Sequence, residues 1–135
     1  MVYLILINKI GHNLLYGCGG GYNMHTLKVQ KKYYNMLKSG TKTIEFRLFD
    51  EKRQAIKIGD IIEFTNASHA DDKFVAEVVN LYQAEDFEAL CQKIDCWQAG
   101  FNTNAELIEC LAEFYIPQQQ KQFGVLGIEI KKIQL

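Results

Sequence analysis

An α+β fold, a small mixed domain with one strongly curved or barrel-like sheet, is predicted by three observations. Hydrophobic periodicity orders the chain as a helix, three strands, two helices and a last strand. A length of 135 residues with 48% hydrophobic content closes one core and leaves two independent domains too small. No internal repeat or low-complexity tract interrupts that order.

Met1–Asn23 reads as an N-terminal appendage to a domain spanning Met24–Leu135. It holds a short apolar run, Val2–Ile7, and a Gly-rich segment, GCGGGYN. The run is too short to span a membrane, and no basic region precedes it as a secretory signal requires. Leu15-Tyr16-Gly17-Cys18 has the outline of a lipoprotein cleavage site, but Lys9, His12 and Asn13 break the apolar stretch such a signal needs. The three glycines are followed by no GKS or GKT, so they do not read as a phosphate loop. Met24 reads as the natural start, and Val2–Ile7 is compatible with an added edge strand.

The first helix is predicted over residues 29–38, where Val29, Tyr33, Met36 and Leu37 recur at helical spacing and Gly40 supplies a left-handed terminator. The chain then passes into a strand over Lys42–Phe49. Ile56–Asp60 forms a turn into a strand over Ile61–Thr65, and Asn66–Asp72 is a polar hairpin loop. Lys73–Leu81, rich in valine, is the next strand. Phe87, Leu90, Cys91 and Ile94 mark a short helix. A longer one starts at Thr103, whose spacing to Glu106 makes a capping box, and it is expected to bury Leu107, Ile108, Leu111, Phe114 and Tyr115 before Pro117 follows its end. Val125–Ile133 alternates Leu126, Ile128 and Ile130 against Glu129 and Lys131 as the closing strand.

A net charge of −1 conceals a split along the chain. Met24–Asp60 holds nine Lys and Arg against four Asp and Glu, whereas Ile61–Gln120 holds two against eleven, a net +5 against −9. A basic surface on an acidic body attracts phosphate-bearing or other anionic ligands; the competing reading is that the two lobes attract each other. The exposed side of the first helix, with Lys28, Lys31, Lys32 and Lys38, is either part of that surface or an ordinary solvated face. The cysteines Cys18, Cys91, Cys96 and Cys110 form no CxxC pair and have no histidine at zinc-finger spacing. Neither a structural metal nor another cofactor is expected. Cys91 and Cys110 read as small core hydrophobes in a reducing cytoplasm, and His12, His25 and His69 lie in loop-like or terminal contexts that do not suit a cysteine nucleophile.

The most informative segment is Lys38–Asp60. On a strand over Lys42–Phe49, period-two alternation sends Ile44, Phe46 and Leu48 to a core face and Thr43, Glu45 and Arg47 to the other. Glu45 and Arg47 are then either a solvated ion pair or the lining of a cleft.

The run Gly40-Thr41-Lys42-Thr43-Ile44-Glu45-Phe46-Arg47, then Asp50-Glu51-Lys52-Arg53, Ile58-Gly59-Asp60 and Phe123-Gly124-Val125-Leu126-Gly127-Ile128, resembles the ASCH domain family in residues, order and spacing. The resemblance covers Met24–Leu135. It implies a PUA-like fold, an open β-barrel with flanking helices, and a cleft beside the helix-to-strand turn where RNA or nucleotides are proposed to bind. It implicates Lys42, Glu45 and Arg47 in that cleft, with Arg53 reaching toward it. Arg47 and Arg53 suit bidentate contacts to phosphate or a base edge, Lys42 offers a point charge, and Glu45 accepts from an exocyclic amine. Thr43 adds a hydroxyl donor, and Tyr115 either stacks on a base or packs in the core.

One subgroup of the family hydrolyses N4-acetylcytidine with a lysine, a threonine and a later glutamate. Lys42 matches the lysine, but the threonine position falls at Glu45, and Glu88 and Asp95 merely lie in the region of the glutamate. Other members are reported as ribonucleases. Two functions follow: a module binding RNA or a modified nucleoside, with no preference for DNA and no membrane association, or a small nucleoside or RNA hydrolase with Glu45 as base and Lys42 as charge stabiliser. Whether a protein partner exists is left open by the sequence.

Overall fold

The computed structural model describes residues 23–134. The readings of Met1–Tyr22, including the edge strand at Val2–Ile7, lie outside the described residues. The elements are β1 (Met24–Val29), α1 (Lys31–Ser39), β2 (Ile44–Leu48), α2 (Glu51–Gln54), β3 (Ile61–Asn66), β4 (His69–Ala84), α3 (Phe87–Cys91), a 3-10 turn (Cys96–Ala99), α4 (Asn104–Phe114), α5 (Pro117–Phe123) and β5 (Val125–Lys132).

The strands form one mixed sheet in the order β1-β3-β4-β5-β2. Among the described residues only β1 and β3 pair in parallel, which requires the crossover that α1, β2 and α2 provide. The 16-residue β4 pairs with β3 through His69–Glu77 and with β5 through Ala76–Ala84, and its register shifts between Val78 and Asn80. A bulge there bends the strand and raises its twist, so the sheet curls into a half-barrel rather than lying flat. The expected α+β, PUA-like architecture is the one observed.

Two apolar clusters hold it together. The first packs Leu27, Phe64, Phe74, Val78, Leu126 and Ile128 of the sheet against Tyr34 and Leu37 of α1. The second joins Ile44, Phe46 and Val125 to Phe87, Leu90, Leu107 and Leu111 of α3 and α4. Strand β2 therefore carries little solvent-facing surface: Ile44 and Phe46 are buried, and so is Glu45 between them, at 8% exposure.

The helix terminator at Gly40 is as expected, with φ +87°. Thr103 caps α4 by accepting from Glu106 N–H at 3.2 Å, while the Glu106 carboxylate accepts from Asn102 N–H rather than closing the box on Thr103 itself. Several expectations need correction. Val29 belongs to β1, not to the first helix, because parallel pairing with β3 overrides its place in the helical spacing. The loop predicted over Asn66–Asp72 shrinks to Ala67 and Ser68: β4 already begins at His69, with His69 and Asp71 exposed and Asp72 half-buried, accepting from Tyr34 and Asn66. Phe114 is 43% exposed rather than core. Past Pro117 the chain forms α5, for which the sequence PQQQKQF offers no apolar period but does place proline where a helix starts most readily. His25 stands in β1, its Nε2 2.8 Å from the buried Asp60 carboxylate, not in a loop. No helix among the described residues is long and apolar enough to cross a membrane.

Candidate functional site

Lys42 is placed by its backbone. After Gly40 turns the chain, Lys42 N–H donates to the Met36 carbonyl at 3.0 Å, and Thr43 is pinned on both sides, its N–H to Gln98 O at 2.8 Å and its carbonyl accepting from Ile130 at 2.9 Å. The Lys42 side chain is thereby directed inward, at 3% exposure. Its ammonium lies 3.4 Å from the Ala99 carbonyl, 3.7 Å from Glu45 Oε1 and 4.9 Å from the centre of the Phe46 ring. A desolvated cation gains from an aromatic face, and this one has Tyr33 at 5.9 Å as well. Burial pushes the Lys42 pKa down, and the Glu45 carboxylate opposes that shift without reversing it.

Glu45 joins Lys42 to Arg47. Its Oε2 accepts from Arg47 Nη2 at 3.0 Å, and its Oε1 accepts from the Phe46 backbone N–H at 3.2 Å. Arg47 Nη2 also donates to Lys28 O in β1 at 2.8 Å. Arg47 Nε is buried with no hydrogen-bond partner among the described residues.

These three groups line a cavity of about 160 Å³ between β1, β2, α1 and α4, walled by Tyr33, Phe46, Phe101, Phe114 and Tyr115 with Leu107, Leu111 and Cys110. The rings brace one another: Tyr33 meets Phe114 edge-on at 6.2 Å, and Tyr115 packs on Phe87 at 5.2 Å while donating its hydroxyl to Phe46 O at 3.3 Å. Tyr33 Oη lies 2.9 Å from Cys110 Sγ, and burial, followed by this contact, pushes the phenol pKa up to about 12, so it stays protonated near neutrality. Burial also raises Tyr115. The volume falls below the roughly 300–1,000 Å³ of pockets for drug-sized ligands, which suits one small ring system.

Of the residues singled out in the sequence, Lys42, Glu45, Arg47 and Tyr115 meet at this cavity. Two do not reach its lining. Thr43 is held by its backbone, and Arg53 is engaged with Asp50, Nη1 to Oδ2 at 2.7 Å, at the start of α2. The two-face expectation for β2 also needs adjusting, because Phe46 lines the cavity beside Glu45 and Arg47. Tyr33, Phe101, Phe114 and Cys110 were not singled out. Their helical or loop positions signalled packing, and only tertiary placement shows that the packing encloses a hollow. Among the described residues no three His, Cys, Asp or Glu side chains are grouped to hold a metal ion.

The chain is similar to hypothetical protein PH0355, with 30% identity and a TM-score of 0.72 over 82% of this chain and 99% of that one. It is also similar to protein PF0455 from Pyrococcus furiosus, with 27% identity and a TM-score of 0.64 over 83% and 99%. An ASCH domain from Lactobacillus crispatus shares the fold at 14% identity, with a TM-score of 0.57 over 96% of this chain and 92% of that one. No curated protein matches the chain. The family model of the ASCH domain matches residues 27–134, nearly all of the described structure. On that match the chain belongs to the ASCH domain family.

Proposed function

We propose that this ASCH domain is a binding module that takes one base of a single-stranded RNA, or one modified nucleoside, into the cavity above Lys42, Glu45 and Arg47. The observation that carries this reading is the convergence of those three groups in a hollow of base-sized, aromatic walls. Two cations face one carboxylate, so the floor holds a net positive charge and an excess of donors, one of them the unpartnered Arg47 Nε. A ligand that brings acceptors, such as the carbonyl of a base, relieves that excess, because an unpaired buried donor costs about 1–3 kcal/mol. Aromatic walls then add stacking, which tolerates any base. Lys28 at the cavity and Lys31 and Lys32 on the exposed start of α1 supply the charge for a phosphate backbone.

Hydrolysis is the second reading, and one observation favours it. A buried lysine whose pKa is pushed down holds its proton less tightly than an exposed one, and it sits beside a carboxylate. That pairing suits proton transfer to or from a bound nucleoside.

Calorimetric titration with cytidine, uridine, N4-acetylcytidine and a short single-stranded RNA separates these readings when product formation is followed in parallel. The module reading expects binding without turnover, weakening with salt for the RNA but little for the nucleosides, and lost in Lys42→Ala and in Cys110→Phe, which fills the cavity. Turnover abolished by Glu45→Gln and Lys42→Ala supports the hydrolase. Binding of RNA and nucleosides that is untouched by Cys110→Phe, with no turnover, places the interface elsewhere and sinks both.

A further inference from the structure

On the far side of α4 lies a second, larger hollow that the reading above does not use. Two short helices, α3 and α5, stand beside it, each set by local chemistry. Asp86 caps α3 by accepting from Ala89 N–H at 2.8 Å, Gln120 of α5 accepts from Phe87 N–H at 3.0 Å, and Pro117 opens α5. Between them is a groove of about 570 Å³. Its floor is apolar, from Phe87, Ile108 and Leu111, and the exposed Ala112 and Pro117 leave it shallowly covered. Among the described residues its rim is charged on one side by Glu85, Asp86 and Glu88, answered only by Lys121 on the other.

The balance of those charges selects the occupant. Three carboxylates against one ammonium repel a phosphate backbone and attract a cation, the reverse of the first cavity. The same sign extends to the exposed Glu109 of α4, within the half of the chain that carries two basic residues against eleven acidic ones. An apolar floor beneath an acidic rim matches a segment with one aliphatic or aromatic anchor flanked by Lys or Arg. We propose that this groove docks a basic protein segment with a single apolar anchor, on the face of the domain that nucleic acid avoids.

The test uses the full chain, isotope-labelled, and a fluorescent peptide with one leucine among lysines and glycines. Amide shifts on titration should cluster at residues 85–88, 108–112 and 118–124. The Glu85→Lys/Glu88→Lys variant, both sites exposed, should bind about tenfold more weakly. Replacing the peptide's leucine by serine should weaken binding about fivefold or more, as for a lost apolar anchor. Asp71→Lys, an exposed charge reversal at the start of β4, should leave affinity within about twofold, which controls for non-specific attraction. Ala112→Trp, which plugs the groove without changing charge, should abolish the shifts; if it fails to fold, the surface reversal carries the result. The proposal is overturned if Asp71→Lys weakens binding as much as the groove reversal, or if the shifts lie elsewhere. It is equally overturned if a short RNA, or raised concentration of the protein alone, moves the same groove amides in place of the peptide.

Discussion

Arg47 Nη2 donates to the carbonyl of Lys28 at 2.8 Å, and this bond ties β2 to β1 across the open side of the half-barrel. Among the described residues, β1 and β2 are the two edges of the sheet and share no backbone ladder. Among the described residues no strand pairs with the outer edge of β1, and cations cover it instead: Arg47 on Lys28 O, and Lys52 on Thr26 O at 3.4 Å. Edge carbonyls spaced two residues apart face the same way, so side chains from β2 and α2 reach both. The same guanidinium pairs with Glu45 inside the cavity, which couples closure of the barrel to the charge of the site.

Removing that guanidinium should therefore hurt twice. Arg47→Ala breaks a largely buried pair and frees an edge carbonyl, and we expect a loss of about 2–4 kcal/mol, softened because Lys42 still faces Glu45. Arg47→Lys keeps the charge but offers a single ammonium to two acceptors, so its loss should be smaller yet clear. Urea unfolding of the three proteins checks the order. Equal stability of Arg47→Ala and wild type would show that the bridge contributes nothing.

Arg53 offers the contrast. It resembles Arg47 in sequence context, but its guanidinium serves Asp50 at the start of α2 and lies outside the cavity lining. Arg53→Ala is expected to leave nucleoside affinity within about twofold while Arg47→Ala lowers it tenfold or more, on the usual scale for losing a charged contact. Parallel titrations decide it, and a reversed order would move the ligand toward α2.

Much of this was legible in the chain. Gly40, Thr103 and the alternation of Leu126, Ile128 and Ile130 announced their elements through local chemistry that tertiary contacts did not override. The charged trio could also be placed on one turn-and-strand segment, because Lys42, Glu45 and Arg47 are close in sequence. What escaped depends on partners distant in sequence. Strand β1 exists because β3 pairs with it, and α5 because Pro117 starts a helix that an apolar period does not mark. The aromatic walls come from α1, α4 and the loop at Phe101, and no spacing rule links Tyr33 to Phe114 or Cys110.

The depressed pKa of Lys42 gives a signed dependence on pH. Below its folded pKa the lysine is charged in both states, and burial of that charge opposes folding. As pH rises from the folded pKa to about 10.4, where an unfolded lysine loses its proton, the unfolded state binds more protons, so stability increases. Tyr33 and Tyr34 act oppositely: their raised values mean that stability falls once unfolded tyrosine ionises near pH ~10. Comparing wild type with Lys42→Met cancels the tyrosines. The stability of wild type relative to the variant should climb with pH over that window; a flat difference would show that Lys42 is not desolvated.

Gly100 should matter to the site through its backbone. Its φ of +88° is a left-handed value that alanine adopts at a cost of about 1–2 kcal/mol, and a Cβ there would also meet the terminal methyl of Met36, which is flexible enough to move aside. Backbone strain therefore sets the cost. Gly100 follows Ala99, whose carbonyl holds the Lys42 ammonium, so relaxing the strain would shift that acceptor. Gly59 has a similar φ of +95° with open space around it, and it lies outside the cavity lining. We expect Gly59→Ala and Gly100→Ala to lose comparable stability in thermal melts, and only Gly100→Ala to weaken nucleoside binding. Equal binding by both variants would disconnect the Ala99 carbonyl from the cavity, since the two share the backbone penalty and differ only in what stands next to them.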